Sequence, residues 1–168
     1  LNYAQATGQN FNQVLVRYGN ERLLYRLGKS DYAARFVLKG ATLFLVWNQS
    51  KPHRPTLDVD LLGFGVEDEG DLRKVFTALC SMVEEDGMEY DASSIEVKAI
   101  REDQRYGGLR VGLKGKLHGA RVALQVDVGY GDVVTPQAEE VEVPGILTGM
   151  PVPRLKGYPV YTVVAEKL

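Results

Sequence analysis

Three carboxylates have the residue types and the setting for chemistry. Asp58 and Asp60 stand in TLDVDLLGF and Asp127 stands in LQVDVG, each interrupting a run of valines and leucines. Side chains alternate along a strand, so Asp58 and Asp60 share one face while Leu57, Val59 and Leu61 take the other. Two anions one pleat apart repel unless a cation lies between them. If the strand carrying Asp127 lies beside the first, three carboxylates converge at one end of a sheet. Hard oxygen ligands of that number suit Mg²⁺, which is normally completed by waters and substrate phosphates. Two such ions about 4 Å apart can align an in-line phosphoryl displacement. Spacing alone leaves a second reading open: DVD is a common string and fits the solvent face of an edge strand.

The segment LKGAT, residues 38–42, offers a glycine and a small residue ahead of an apolar helical run. A helix start of this kind presents backbone N–H groups that donate to phosphate oxygens, and Lys39 could add a point charge. A tight turn before a core helix is the plainer account of the same residues. Order and spacing join the two features, because a phosphate-ready helix start, one helix and a strand with paired Asp form one supersecondary unit. Arg54 and Thr56 precede the pair, and on a continuous strand Thr56 faces the same way as Asp58.

The flanking secondary structure is legible in outline. Phe11, Val14, Leu15, Tyr18, Leu23 and Leu27 recur at helical spacing over 10–27, with Gly28 as the stop. Ser30 or Asp31 can cap a short helix through DYAARF. ATLFLVW, apolar nearly all round, predicts a buried helix, and KPHRP a loop. TLDVDLLGF predicts a strand, and VEDEGDLRKVFTALCSMVEE a helix opened by acidic residues. IEVKAIRE, LRVGLKGKL and ARVALQVDVGY alternate with period two, joined at Gly107-Gly108 and His118-Gly119. Residues 132–157 predict loop with at most a short strand at VEVPGIL, YPVYT is extended, and VVAEKL turns helical. The expected class is α+β, with a mixed or antiparallel sheet flanked by helices.

Composition excludes several functions. A single cysteine, Cys80, rules out an internal disulfide and a cysteine zinc site, and fits a reducing cytoplasm and a packed core position. Two histidines, His53 and His118, rule out a His-rich metal site and suggest no Ser/His/Asp arrangement. GFGVED fails as a dinucleotide fingerprint because Asp68 takes the third glycine position, and LKGKL is no P-loop. A net charge of −2 confines any RNA contact to a local patch, for which Arg110, Lys114, Lys116 and Arg121 of one hairpin are candidates. No run of 18 apolar residues predicts a membrane span, and the start does not resemble a signal peptide. At 168 residues one domain is expected, able to bury about two thirds of its unfolded surface. Both ends read as cut: no Met precedes Leu1, and VVAEKL stops in a first helical turn.

FVLKGATLFLVWNQSKPHRPTLDVDLLGFG, residues 36–65, resembles the AbiEii/AbiGii-type nucleotidyltransferase family, toxins of bacterial toxin–antitoxin systems. Leu38, Lys39, Gly40, Thr42, Arg54, Thr56, Asp58 and Asp60 stand in register with the family pattern. Ala41 departs from it, where the family has Gly. Asp127 resembles the third metal-site Asp, and Lys167 in AEKL resembles the helix lysine that contacts nucleotide phosphates. The resemblance implies one nucleotidyltransferase-like core over 1–168, with 31–130 the most specific part and the family's helical C-terminal part missing. It implies Mg²⁺-dependent transfer from an NTP, with Mn²⁺ a substitute metal. Asp58, Asp60 and Asp127 would hold metal and carry catalysis. Lys39, Gly40, Ala41, Thr56 and Lys167 would hold the nucleotide. A tRNA 3′ end is the implied acceptor, an antitoxin protein the implied opponent, and the cytoplasm the implied site. The rival readings are an inactive nucleotide- or protein-binding relative and transfer to a protein hydroxyl.

Overall fold

The computed structural model of the protein describes residues 1–48, 57–100, 107–131 and 137–159. Its helices are α1 (Asn2–Thr7), α2 (Phe11–Lys29), α3 (Thr42–Asn48) and α4 (Glu69–Ser81). Its strands are β1 (Phe36–Lys39), β2 (Val59–Gly63), β3 (Met88–Ala99), β4 (Gly108–Leu117), β5 (Ala120–Tyr130), β6 (Glu139–Glu142) and β7 (Arg154–Gly157). They form a seven-stranded sheet in the order β3-β4-β5-β2-β1-β7-β6. Two pairings are parallel, β2 with β5 and β1 with β7, and the rest are antiparallel. The architecture is therefore α+β with a mixed sheet, as the alternating patterns predict.

One face of the sheet is sealed by α2 and α4. Leu23, Leu24 and Leu27 of α2 and Phe76 and Leu79 of α4 meet Val59 and Leu61 of β2 and Val126 of β5 around one small void. The polar residues between those strand positions are thereby turned to the opposite face. Capping fixes where the helices begin. The Asn10 carboxamide oxygen accepts from the Asn12 and Gln13 N–H groups at the start of α2. Asp68 accepts from the Asp71 N–H at the start of α4, 2.6 Å away. Each satisfies donors that the first helical turn leaves without a partner.

Four local expectations change. Gly28 does not stop α2, which runs on to Lys29. The glycine is needed because the Arg154 carbonyl of β7 presses against it, leaving no room for a Cβ. FVLK is a strand, and DYAARF supplies only a single 3₁₀ turn, Ala33–Arg35. The helix in ATLFLVW buries Thr42 and Leu43 but leaves Phe44 37% exposed, so it is not a core helix. Residues 137–157 hold two paired strands rather than one, since RLKG forms β7 against β6. Cys80 packs only partly against the core, and burial pushes its thiol up to about 11, which keeps it protonated at neutral pH.

Candidate active site

Strand register assembles a row of charge across the face turned away from α2 and α4. Lys39 of β1 lies opposite Asp60 of β2, Asp60 opposite Asp127 of β5, Asp127 opposite Arg110 of β4, and Arg110 opposite Lys98 of β3. Neighbours in register project to the same side of a sheet. Two carboxylates therefore stand side by side, flanked by cations: Lys39 on one side, Arg110 and Lys98 on the other. The buried valines and leucines on either side of each Asp anchor this arrangement to the helix-covered face. Burial of core residues that are distant in sequence thus brings Asp60 and Asp127 together.

The pair is electrostatically crowded. Burial pushes the Asp60 carboxyl up to about 6, the adjacent Asp127 adds to the rise, and Asp58 contributes less. Lys39 and Arg110 oppose the rise. Arg110 grips Asp127 with two N–H groups, Nε to Oδ1 at 2.8 Å and Nη2 to Oδ2 at 3.0 Å. The Lys39 ammonium reaches across to Gly129 on β5, 3.3 Å from where a Cβ at 129 would stand.

Gly40 closes the site at the end of β1. Its φ of +71° is in the left-handed region, and a Cβ there would run into the Asp60 carboxylate. The chain turns here with bare backbone against the carboxyl group and enters α3, where the Leu43 and Phe44 N–H groups return to the Gly40 and Ala41 carbonyls. The backbone of the Gly40 turn and the acidic pair are therefore neighbours. Gly40→Ala combines an unfavourable φ with this collision. It is expected to cost about 1–3 kcal/mol, read by urea unfolding, and to displace Asp60 as well.

Asp58 lies just before β2, exposed, rather than within the strand. Among the described residues, no three His, Cys, Asp or Glu side chains are gathered closely enough to hold a metal ion. Mg²⁺ is commonly bound through one or two carboxylates plus substrate phosphates. Two adjacent carboxylates, one held well above its ordinary range by burial and then by the other, are a donor set whose repulsion a hard divalent cation would relieve. The residues present fit such an ion. Thr56, Arg54, His53 and Lys167 lie outside the described residues.

The candidate RNA stripe is broken by acids. Lys116 and Lys114 sit opposite Glu89 and Asp91, and Lys116 pairs with Glu89 at 3.3 Å. Arg110 pairs with Asp127. That pairing is the feature that sequence reading missed at the site; the signal was there, since Arg110 and Asp127 sit on adjacent strands of a hairpin that turns at His118-Gly119. His118 and Gly119 both have positive φ, which fixes a tight turn and the register behind it.

Among solved structures, two chains from Helicobacter pylori share this fold. JHP933 superposes with a TM-score of 0.57 at 12% identity, over 94% of this chain and 56% of its own. A "putative nucleotidyltransferase" superposes with a TM-score of 0.55 at 12% identity, over 94% of this chain and 58% of its own. The chain thus spans little more than half the length of either. No curated protein sequence matches it. The sequence model described as nucleotidyl transferase AbiEii toxin, type IV toxin–antitoxin system, matches residues 22–168, and the chain belongs to that family.

Proposed function

We propose that the full-length protein transfers a nucleotide from an NTP to an acceptor hydroxyl, with a tRNA 3′ end as the acceptor. It would act in the cytoplasm and be opposed by a cognate antitoxin protein. The observation that carries this reading is the in-register Asp60–Asp127 pair beside the bare backbone of Gly40. Family membership supports it.

In this reading Asp60 and Asp127 hold Mg²⁺, or Mn²⁺ in its place, with substrate phosphates filling other positions, and exposed Asp58 adds negative charge nearby. When bound, the ion supplies charge neutralisation and alignment for the triphosphate. Gly40 and Ala41 present backbone N–H groups to phosphate oxygens, and Lys39 adds a positive charge from β1. Thr56 and Lys167 complete the phosphate contacts. Asp127 accepts the proton of the acceptor hydroxyl as its oxygen bonds to the α-phosphorus and pyrophosphate leaves. The catalytic contribution is positioning and charge stabilisation rather than covalent chemistry with the protein.

The test is incubation of the full-length protein with Mg²⁺, each α-³²P-labelled NTP in turn, and total bacterial tRNA, beside Asp60→Asn. Label on RNA with one NTP, absent in the variant, is the expected result and names the nucleotide. Label on protein would replace the acceptor, and label nowhere would overturn the transferase reading.

A further inference from the structure

We propose that Arg110 is an exchangeable counter-ion of the acidic pair, a guanidinium that an arriving divalent cation must displace from Asp127. The inference rests on the reading of Asp60 and Asp127 as cation ligands.

The geometry sets Arg110 in the position of a competitor. Both Asp127 oxygens are taken by one guanidinium fork, at 2.8 and 3.0 Å. A cation that uses either oxygen loses part of its electron density to those N–H groups. Arg110 also lies next to Asp127 in a row that places Asp60 directly beyond. One guanidinium thus offsets part of the repulsion between two carboxylates, the same task a metal ion would perform.

The pair is built to open. The Arg110 and Asp127 side chains are 45% and 22% exposed, whereas those of Arg26 and Asp86, also a bidentate pair, are each 1% exposed. Solvent-exposed ion pairs are weak, because water competes for both partners. A buried pair cannot open without stranding charge. As a latch, Arg110, with nearly half of its side chain in contact with water, can exchange its hold on Asp127 without stranding a buried charge.

The consequence is a preference for cations that arrive on a nucleotide. A bare ion expels the guanidinium into solvent. An ion carried by a triphosphate brings anionic oxygens, for which a planar guanidinium is well suited. The displaced Arg110 can then pair with a phosphate, and cation and nucleotide binding become coupled.

Mn²⁺ binding to the full-length protein, followed by loss of the free-ion EPR signal, tests this without reference to activity. Arg110→Gln is expected to bind bare Mn²⁺ about tenfold more tightly than wild type, as removal of a competing charge in this setting requires. Arg110→Lys keeps the charge but loses the fork, and should fall between the two. Adding Asp127→Asn to Arg110→Gln should erase the gain. Equal affinity in wild type and both Arg110 variants, with binding still abolished by Asp60→Asn, would overturn the latch and leave the cation site standing. An Arg110→Lys variant indistinguishable from wild type beside a tighter Arg110→Gln would reduce Arg110 to a general field effect and also overturn it. Absence of Mn²⁺ binding in every protein at millimolar ion would overturn the cation site itself, and the latch with it.

Discussion

Asp60→Asn is expected to abolish nucleotidyl transfer and, at neutral pH, to raise the melting temperature. The two effects come from one cause. The Asp60 carboxyl is pushed up to about 6 first by burial, then by Asp127, with Asp58 adding a smaller push against Lys39 and Arg110. Unfolded, an Asp titrates near 4. Between those values the folded chain holds a proton that the unfolded chain has lost. Stability from this residue therefore declines as pH rises from about 4 through about 6, and the penalty is fully present at pH 7. Asparagine has the same shape, still fits against Gly40, and carries no charge. The variant should gain most over wild type above pH 6 and least near pH 4, as thermal melts at pH 4.5 and 7.5 will show. Transfer should fall by roughly 10³-fold or more, since a ligand of the ion that neutralises and aligns the triphosphate is lost. A variant that melts lower than wild type at pH 7.5 would mean that Asp60 is held by favourable contacts rather than by crowding.

What could be read from the sequence was mostly local. The β4–β5 hairpin was legible because a period-two pattern and the turn at His118-Gly119 lie within one short stretch. Helix α4 was legible from its acidic opening, within which the structure makes Asp68 the cap. The segment around Lys39 and Gly40 could be connected to the DVD strand by order alone, although the antiparallel register of β1 and β2 that puts Lys39 opposite Asp60 is a product of folding. Asp127 beside Asp60 required a parallel pairing between residues 67 apart in sequence (127 − 60), and nothing local encodes it. The exposure of Phe44 escaped for a related reason: an apolar helix looks buried from its composition, whatever happens to stand opposite it. β7 escaped because RLKG is short and alternates charge with only one buried leucine.

The least legible feature carries the largest expected stability effect: Asp86→Ala should destabilise the fold by about 3–5 kcal/mol. Arg26 is buried within α2, and its guanidinium has five N–H donors to satisfy. Nη1 donates to Asp86 Oδ2 at 2.7 Å and to the Arg22 carbonyl at 3.0 Å. Nη2 donates to Asp86 Oδ1 at 3.1 Å and to the Met88 carbonyl at 3.2 Å, and Nε to the Met82 carbonyl at 3.1 Å. Every donor is used, and the Tyr90 ring lies 4.9 Å below the guanidinium carbon. Asp86 in turn accepts from the Met88 N–H, while the Tyr18 hydroxyl donates to its carbonyl. The network binds α2 to the turn that carries the chain from α4 into β3. Removing Asp86 alone strands a buried cation; replacing the pair together, as Arg26→Met with Asp86→Leu, removes both charges and should cost much less. Urea unfolding of the single and double variants measures the difference. Transfer per folded molecule should be unchanged in each, because Lys39, Asp60, Asp127 and Arg110 stand on the face of the sheet turned away from α2. A double variant as unstable as Asp86→Ala would show that the five-acceptor cage, rather than charge neutralisation, holds this corner of the fold.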